Sequence, residues 1–174
     1  DSYNETFKKV SSVAAAAGYQ LGSASYDSKS FSASQEEAAA GGAVFSTDGT
    51  NMYVVGTANN TVYQYTLSTA FDVSTASYAS KSFSVSAQEG ASRGLQFKSD
   101  GTKMYIIGST GDTVFQYSLS TAWDVSTASY DSVSLSVSAQ DNSPLALAFS
   151  SDGTKMYVMG STSNTVYQYT LTTA

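Results

Sequence analysis

Acidic residues recur at one position of a repeated sequence. Glu37, Glu89 and Asp141 lie 52 residues apart, and Gln88 and Gln140 come directly before the last two. Carboxylates and carboxamides offer several oxygen atoms, so a ring of them could hold a cation or accept hydrogen bonds from sugar hydroxyls. They could equally be solvated loop residues that only keep the surface charged. We predict them as candidate ligand-binding residues and leave both interpretations open.

A second candidate position carries an aromatic ring. Phe71 and Trp123 are each followed by the same residues, Asp-Val-Ser-Thr-Ala-Ser-Tyr. An exposed ring at this position could stack on a sugar. Alternatively, the ring packs against the outer edge of its own repeat while Asp72 and Asp124 hydrogen-bond the backbone of the turn. We favour the packing interpretation, although both rings stay candidate ligand-binding residues.

The composition limits the chemistry that these residues could support. The sequence has no cysteine and no histidine, so it has no disulfide, no thiolate zinc site and no general base of the usual kind. A serine nucleophile needs a neighbouring base, usually histidine, and the many serines of this sequence have no evident one. Asp48, Asp100 and Asp152 each precede a glycine, a pair that indicates a turn rather than a calcium loop. We therefore predict no catalytic residue, no metal and no cofactor, and expect that the protein is not an enzyme.

Charge and hydropathy exclude two classes of partner. The formal net charge is -6 and the basic residues do not cluster, so we predict no nucleic-acid binding, which needs a basic surface. No apolar run approaches the roughly 20 residues that cross a bilayer, so we predict no membrane insertion. A composition rich in Ser and Thr but poor in Lys and Glu is typical of surface proteins. It predicts an extracellular location, or one on a virion or cell surface.

All these positions belong to a sequence that occurs three times. Residues 47–56, 99–108 and 151–160 carry nearly the same phrase, with a period of 52 residues and no insertion or deletion. Residues 23–174 are thus predicted to form one three-repeat domain. Residues 1–22 precede it as an N-terminal arm, which could be a short amphipathic helix or a degenerate copy of the segment before the later repeats.

Each copy divides into four predicted β-segments. The first shows period-two alternation and covers residues 26–33, 78–85 and 130–137. A loop with the acidic residue leads to a short apolar strand, and Asp-Gly then supplies a tight turn in which glycine takes a positive φ. Two further strands follow, at residues 50–55 and 61–67 in the first copy. The sequence therefore predicts an all-β protein built from three four-stranded repeats.

The strand after the Asp-Gly turn is apolar on both faces. In the second copy Met104 and Ile106 point to one side, and Tyr105 and Ile107 to the other. Such a strand is covered on both sides, as it is where sheets stack radially. The phrase Ser-Asp-Gly-Thr-Lys-Met-Tyr-Val, followed by Asn-Thr-Val-Tyr-Gln-Tyr, resembles the blade repeat of surface-layer and lactonase-like β-propellers, most closely those of phage-tail and microbial surface proteins. The resemblance implies a propeller fold for residues 23–174.

The order of the segments predicts how such blades would close. The repeats open on the outermost strand and end on strand 165–171, so the third blade lacks its outermost strand and residues 26–33 are spare. Three blades are too few for a ring, which holds about four to eight. We predict a six-bladed ring in which two copies associate through strand 26–33. The alternative is a monomeric β-trefoil or β-prism, since these folds also have three repeats.

Functions of three classes are compatible with this fold. The resemblance and the composition favour a non-enzymatic binding module for adhesion at an extracellular or virion surface, which recognises glycans or a cell-surface receptor. The alternative is a purely structural protein that forms rings, coats or fibres by strand exchange. A lactonase-type enzyme is the third class, and the missing histidines and scattered acids disfavour it.

Overall fold

The structure is a computed structural model and describes residues 24–172. The N-terminal arm predicted at residues 1–22 lies outside the described residues. Within the described range the chain forms eleven strands and two short 3₁₀ turns, with all strand pairs antiparallel. The predicted all-β class is confirmed.

The strands form three sheets, which we name blades 1 to 3. Blade 1 contains β1 (Ala40–Phe45), β2 (Asn51–Gly56), β3 (Thr61–Leu67) and β4 (Ala76–Ser84). Blade 2 contains β5 (Ser92–Phe97), β6 (Lys103–Gly108), β7 (Thr113–Leu119) and β8 (Ala128–Ser136). Blade 3 contains β9 (Pro144–Phe149), β10 (Lys155–Gly160) and β11 (Val166–Thr170). Neighbouring strands in each blade are consecutive in the chain, and a 3₁₀ turn precedes β4 and β8, at Val73–Thr75 and Val125–Thr127.

The outer strands differ most from the prediction. β4 and β8 begin two residues earlier than predicted, and each has a bulge at a serine with positive φ, Ser80 at 57° and Ser132 at 58°. Residues 26–33 were predicted to be a strand, but in the structure they pair with no strand of the described chain. They form no strand here because a strand forms only where a partner supplies backbone hydrogen bonds. Blades 1 and 2 have the predicted four strands, and blade 3 has three, since it lacks its outermost strand as the order of the segments predicted.

Strand β2 is covered on both faces, as predicted. All four residues from 52 to 55 are buried. Tyr53 lies between blades 1 and 2, where its ring centroid is 4.5 Å from that of Phe97 and its hydroxyl donates to the backbone carbonyl of Trp123 at 2.6 Å. Much of the core thus lies between neighbouring blades, and burial there stabilises the fold by roughly 25 cal/mol for each Å² of apolar surface.

The first strand of each blade lies on the inner side of the arrangement. Strand β1 contacts β5, and β5 contacts β9. Gly94 on β5 permits the close approach, because a Cβ there would lie 2.9 Å from Ile107 and 3.2 Å from Ala146 of the next blade. Sheets that meet through their first strands and pack face to face are propeller-like, which favours the predicted propeller over the trefoil or prism.

Equivalent tyrosines differ in burial according to the blade that follows them. Tyr53 is fully buried beneath blade 2. Tyr105 packs on Phe149 of blade 3, with 4.6 Å between ring centroids, and is half-buried. Tyr157 is also half-buried, and no described blade follows it. The three tyrosines therefore have different environments, because each environment depends on the next blade.

We expect the fold to lose stability steeply in alkali. Burial raises the pKa of Tyr53, Tyr65 and Tyr117 well above the usual value for tyrosine. In the unfolded chain these phenols ionise near pH ~10, so above that pH the unfolded state holds fewer protons than the native state and the free energy of unfolding falls as pH rises. Urea unfolding between about pH 8 and pH 11 measures this. A free energy of unfolding that stays constant over that range would contradict the prediction.

Candidate functional site

The three predicted acids lie beneath the loops that lead into each blade. Glu37, Glu89 and Asp141 are only 2%, 0% and 4% exposed. Their oxygens accept hydrogen bonds from the backbone of two separate loops. The donors to Glu89 are the N–H groups of Ala91 at 2.8 Å, Thr110 at 3.0 Å and Gly111 at 3.2 Å. The carboxylate thus connects the loop before β5 to the turn between β6 and β7.

The other two blades repeat this arrangement. Glu37 accepts from the N–H groups of Ala39 at 2.9 Å and Ala58 at 3.1 Å. Asp141 accepts from the N–H of Ser143 at 2.8 Å and from the hydroxyl of Ser163 at 2.7 Å. The Ser163 hydroxyl is the main cause that holds the pKa of Asp141 below its usual value. A hydrogen-bonded carboxylate of this kind stabilises the loop.

A glycine makes room for each carboxylate. It is the last residue of the second strand of its blade, and a Cβ there would overlap the acidic side chain; these residues are Gly56, Gly108 and Gly160. Most of the carboxylate oxygens are therefore occupied within the chain. The structure gives the three acids a stabilising role, and ligand binding by them stays a prediction.

The position before each acid interacts with a tyrosine of the third strand. In every blade the tyrosine hydroxyl lies within hydrogen-bond distance of the side-chain oxygen at that position. The pairs are Tyr65 with Glu36 at 3.2 Å, Tyr117 with Gln88 at 3.4 Å and Tyr169 with Gln140 at 3.1 Å. Ligand binding by Gln88 and Gln140 stays a prediction, since the structure shows them as partners of these hydroxyls.

The two aromatic candidates share a backbone conformation but not an environment. Phe71 and Trp123 have φ values of 61° and 65°. Trp123 packs between blades 1 and 2, with its ring 5.3 Å from that of Phe97. Phe71 is 61% exposed and contacts Phe45, with 5.9 Å between ring centroids. The favoured packing interpretation describes Trp123, whereas Phe71 has no described blade before it to pack on.

The aspartate after each aromatic ring holds the turn, as its sequence position predicts. Asp72 and Asp124 each accept the N–H of the serine two residues later at 3.1 Å. Each also pairs with a lysine at 2.6 Å, Asp72 with Lys29 and Asp124 with Lys81. Because Lys81 belongs to β4, its ion pair connects the outer strand of blade 1 to blade 2.

The Asp-Gly sequences form the predicted turns. Gly49, Gly101 and Gly153 have φ values of 71°, 73° and 70°. The preceding aspartate accepts hydrogen bonds inside the turn, and in blade 3 the Ser150 hydroxyl and the Thr154 N–H lower the pKa of Asp152 to about 2. Among residues 24–172, no group of three or more acidic, histidine or cysteine side chains is placed to hold a metal ion.

One candidate residue was missed by the sequence reasoning. The first strand of each blade has a bulge, at Gly41, Arg93 and Leu145, and bulges re-aim side chains near functional sites. Arg93 is the single arginine of the sequence and is exposed. Its guanidinium makes no ion pair with any described side chain. The signal that could have revealed it is its departure from the repeat, because the other copies have no charge at this position.

Solved structures share this fold. A protein from Bacteroides uniformis ATCC 8492, whose name gives 6-phosphogluconolactonase as a provisional activity, matches 75% of this chain and 36% of its own chain at 15% identity and a TM-score of 0.57. A protein from Bacteroides fragilis NCTC 9343 with the same provisional activity matches 75% and 34% at 14% identity and a TM-score of 0.57. A protein from Lactobacillus plantarum matches 76% and 38% at 20% identity and a TM-score of 0.55. At these identities the likeness shows the fold alone, and the chain spans about a third of the length of these proteins.

Other comparisons gave no match. No family model matches the sequence, and no curated protein matches it. The propeller-like fold therefore rests on the structure and on its solved neighbours. Membership of the surface-layer group, which the repeat phrase suggested, stays a prediction.

The solved neighbours correct the function predicted from the sequence. Two of them carry the provisional name 6-phosphogluconolactonase, which contradicts the predicted non-enzymatic surface module and its purely structural alternative. The same names weaken the expectation that the protein is not an enzyme. Glycan recognition, adhesion and a phage origin find no support. A surface location stays a prediction, and within residues 24–172 no helix is long and apolar enough to cross a membrane.

Proposed function

We propose that the chain forms half of a six-bladed propeller, and that this propeller acts on a small phosphorylated sugar acid or lactone. Two copies would supply six blades, which lies within the usual range of about four to eight. The lengths of the solved neighbours support a ring of two copies. The match that covers 75% of this chain covers 36% of the Bacteroides uniformis protein, so two copies come close to the length of that single chain.

Arg93 supports a small anionic ligand. A guanidinium presents a fork of N–H donors that binds phosphate or carboxylate through two parallel hydrogen bonds. Arg93 lies at a bulge of an innermost strand, is exposed and makes no ion pair within residues 24–172. Because the chain has a net charge of -6, the chain as a whole repels anions, and a cation without an ion pair among the described residues, such as Arg93, offsets that repulsion locally.

The residues beside Arg93 suit a small ligand with one charged end. Gly41 occupies the equivalent bulge of β1 and lies directly against the Arg93 backbone, since a Cβ there would be 3.0 Å from the Arg93 carbonyl oxygen. Leu145 occupies the equivalent bulge of β9 and is 38% exposed, so it offers apolar surface. A phosphate on Arg93 would leave the uncharged part of a sugar derivative against these neighbours.

The names of the solved neighbours suggest the reaction. A 6-phosphogluconolactone, the substrate in those names, carries a phosphate that would suit Arg93. Hydrolysis adds water across the lactone ester and yields the open sugar acid. Because the sequence has no histidine, a carboxylate or solvent hydroxide would have to serve as the base.

We expect Arg93→Leu to weaken binding of 6-phosphogluconate, the product acid, by at least about tenfold, since a hydrogen-bonded charge pair contributes roughly 1.5–3 kcal/mol. Isothermal titration calorimetry measures the affinity. Leucine already occupies the equivalent bulge at Leu145, so the fold should tolerate the change. Lys98→Gln is the matched control, because Lys98 is an exposed cation that pairs with Asp100 away from the bulge, and its affinity should equal that of the parent chain.

Equal affinity in Arg93→Leu, or no binding by the parent chain, would overturn the proposed ligand site. A pH-stat assay with 6-phosphogluconolactone then tests the reaction against the spontaneous rate. Hydrolysis above that rate which falls in Arg93→Leu supports the enzyme. Binding without turnover would reject the enzymatic part of the proposal and keep the ligand site.

A further inference from the structure

We propose that two copies of this chain join end to end, with residues 24–33 of each copy serving as the fourth strand of the other copy's blade 3. The inference deepens the proposed six-bladed ring, on which it rests, by assigning the surfaces that close it. Four observations carry it: the packing of residues 24–33, their backbone conformation, the exposure of blade 3, and a cavity on blade 1.

Residues 24–33 pack on blade 1 as β4 packs on blade 2. Lys29 pairs with Asp72 at 2.6 Å, and Lys81 of β4 pairs with Asp124 at the same distance. The ring of Phe31 meets that of Tyr65 edge-on at 4.9 Å, and the counterparts one repeat later, Phe83 and Tyr117, meet edge-on at 5.5 Å. The segment therefore occupies the place of an outer strand in a blade that would precede blade 1.

The backbone of this segment already has the outer-strand conformation. Ser28 has a φ of 58°, which matches the bulge serines of β4 and β8, Ser80 at 57° and Ser132 at 58°. The loop that follows also matches, since the N–H of Glu37 donates to the carbonyl of Ala33 at 2.8 Å. The segment is thus shaped to pair with a third strand, although within residues 24–172 none pairs with it.

Blade 3 lacks the strand that this segment resembles. Strand β11 pairs with β10 on one side and with no described strand on the other. Residues of blade 3 that would face a following blade are also more exposed than their counterparts in blade 1. Val62 is fully buried whereas Val166 is 60% exposed, and Val55 is fully buried whereas its counterpart Met159 is 38% exposed.

A cavity on blade 1 is the complement of this exposed face. Its volume is about 490 Å³, and Phe31, Ala43, Met52, Val54 and Val73 are among the residues that line it. Their counterparts one repeat later are Phe83, Leu95, Met104, Ile106 and Val125. Those five residues belong to the cluster that buries Tyr53, Val55 and Val62 between blades 1 and 2. The cavity is therefore the place where Tyr157, Met159 and Val166 of a second copy would pack.

The repeat also fixes the register of the proposed strand pair. Thr61 lies opposite Ser84, and Thr113 lies opposite Ser136. One repeat further, Thr165 would lie opposite Ser32 of the second copy. The same shift places Val166 opposite Phe31 and Tyr169 opposite Tyr26, which is 75% exposed in the single chain.

The partner that covers these surfaces is a second copy of the chain, because the cavity lies on the first blade of the series and the exposed face lies on the third. The contact between them would reproduce the contact that blades 1 and 2 already make. Such head-to-tail contacts close into a ring when the rotation permits and otherwise give open filaments. Two copies give six blades, so closure is expected at the dimer.

Disulfide formation between single-cysteine variants tests the register. The sequence has no cysteine, and positions 32 and 165 are both exposed. An equal mixture of Ser32→Cys and Thr165→Cys should form a covalent dimer of unlike chains under mild oxidation. The matched control replaces Thr165→Cys with Ser136→Cys, whose position is also exposed but lies opposite Thr113 of its own chain. Cross-linking that is no faster than in the control would overturn the proposed pairing.

Light scattering of the parent chain tests closure. A mass of twice 18.2 kDa supports the ring, a mass of one chain at tens of micromolar overturns the proposal, and long open species overturn closure by two copies.

Val166→Asp should raise the dissociation constant at least about 100-fold, because it buries a carboxylate among apolar residues. Val133→Asp changes another exposed valine, which lies on β8 outside the proposed interface and is 51% exposed, and it should leave the dimer intact. A dimer that does not bind 6-phosphogluconate would reject the proposed ligand and leave this interface standing.

Discussion

Glu89→Ala is expected to lower the free energy of unfolding by about 3–5 kcal/mol, which approaches the whole stability of a small domain. The carboxylate is fully buried and accepts three backbone N–H groups, from Ala91, Thr110 and Gly111. Alanine would leave these donors without a partner, and a buried donor that loses its acceptor costs roughly 1–3 kcal/mol. Urea unfolding measures the change through the transition midpoint.

Two variants separate the carboxylate from its surroundings. Gln88→Ala changes the neighbouring residue. Its side-chain oxygen makes one long hydrogen bond, 3.4 Å from the hydroxyl of Tyr117, so the substitution should cost less than about 1 kcal/mol. Glu89→Gln keeps the shape and one acceptor oxygen, so its cost should lie between those of the other two variants. If Glu89→Ala is no more destabilising than Gln88→Ala, the carboxylate does not hold the two loops together.

Gly101→Ala is expected to destabilise the protein by about 3 kcal/mol, and Gly153→Ala by only about 1 kcal/mol. Both glycines have a positive φ, 73° and 70°, which disfavours any residue with a Cβ. The difference arises from the neighbours. A Cβ on Gly101 would lie 2.5 Å from the Trp123 ring, whereas a Cβ on Gly153 would meet nothing within 4 Å.

Thermal unfolding of the two glycine variants measures the difference. Trp123 packs between Tyr53 and Phe97, so its ring cannot move without opening the contact between blades 1 and 2. Gly153→Ala is the matched control, since it changes the same position of the same turn without that ring. Equal losses in the two variants would show that backbone strain alone sets the cost, which is the expectation that the repeated Asp-Gly phrase gives by itself.

The sequence predicted the features that depend on neighbours along the chain. The Asp-Gly turns follow from the φ preference of glycine at Gly49, Gly101 and Gly153, and strand β2 follows from its two apolar faces. The period of 52 residues then predicted three sheets built on one pattern. The candidate site was harder to predict from the sequence, because a solvated loop acid and a buried one look alike there. Glu89 is recognisable as buried only once Thr110 and Gly111 are seen beside it.

Val62 and Val166 show most clearly what only the tertiary structure decided. They occupy the same position of the same repeated phrase, so the sequence determined that both lie on a strand of a blade with an apolar side. Val62 is fully buried, whereas Val166 is 60% exposed. The physical reason is that a propeller blade is covered by the blade that follows it, and burial is therefore a property of the neighbour rather than of the residue.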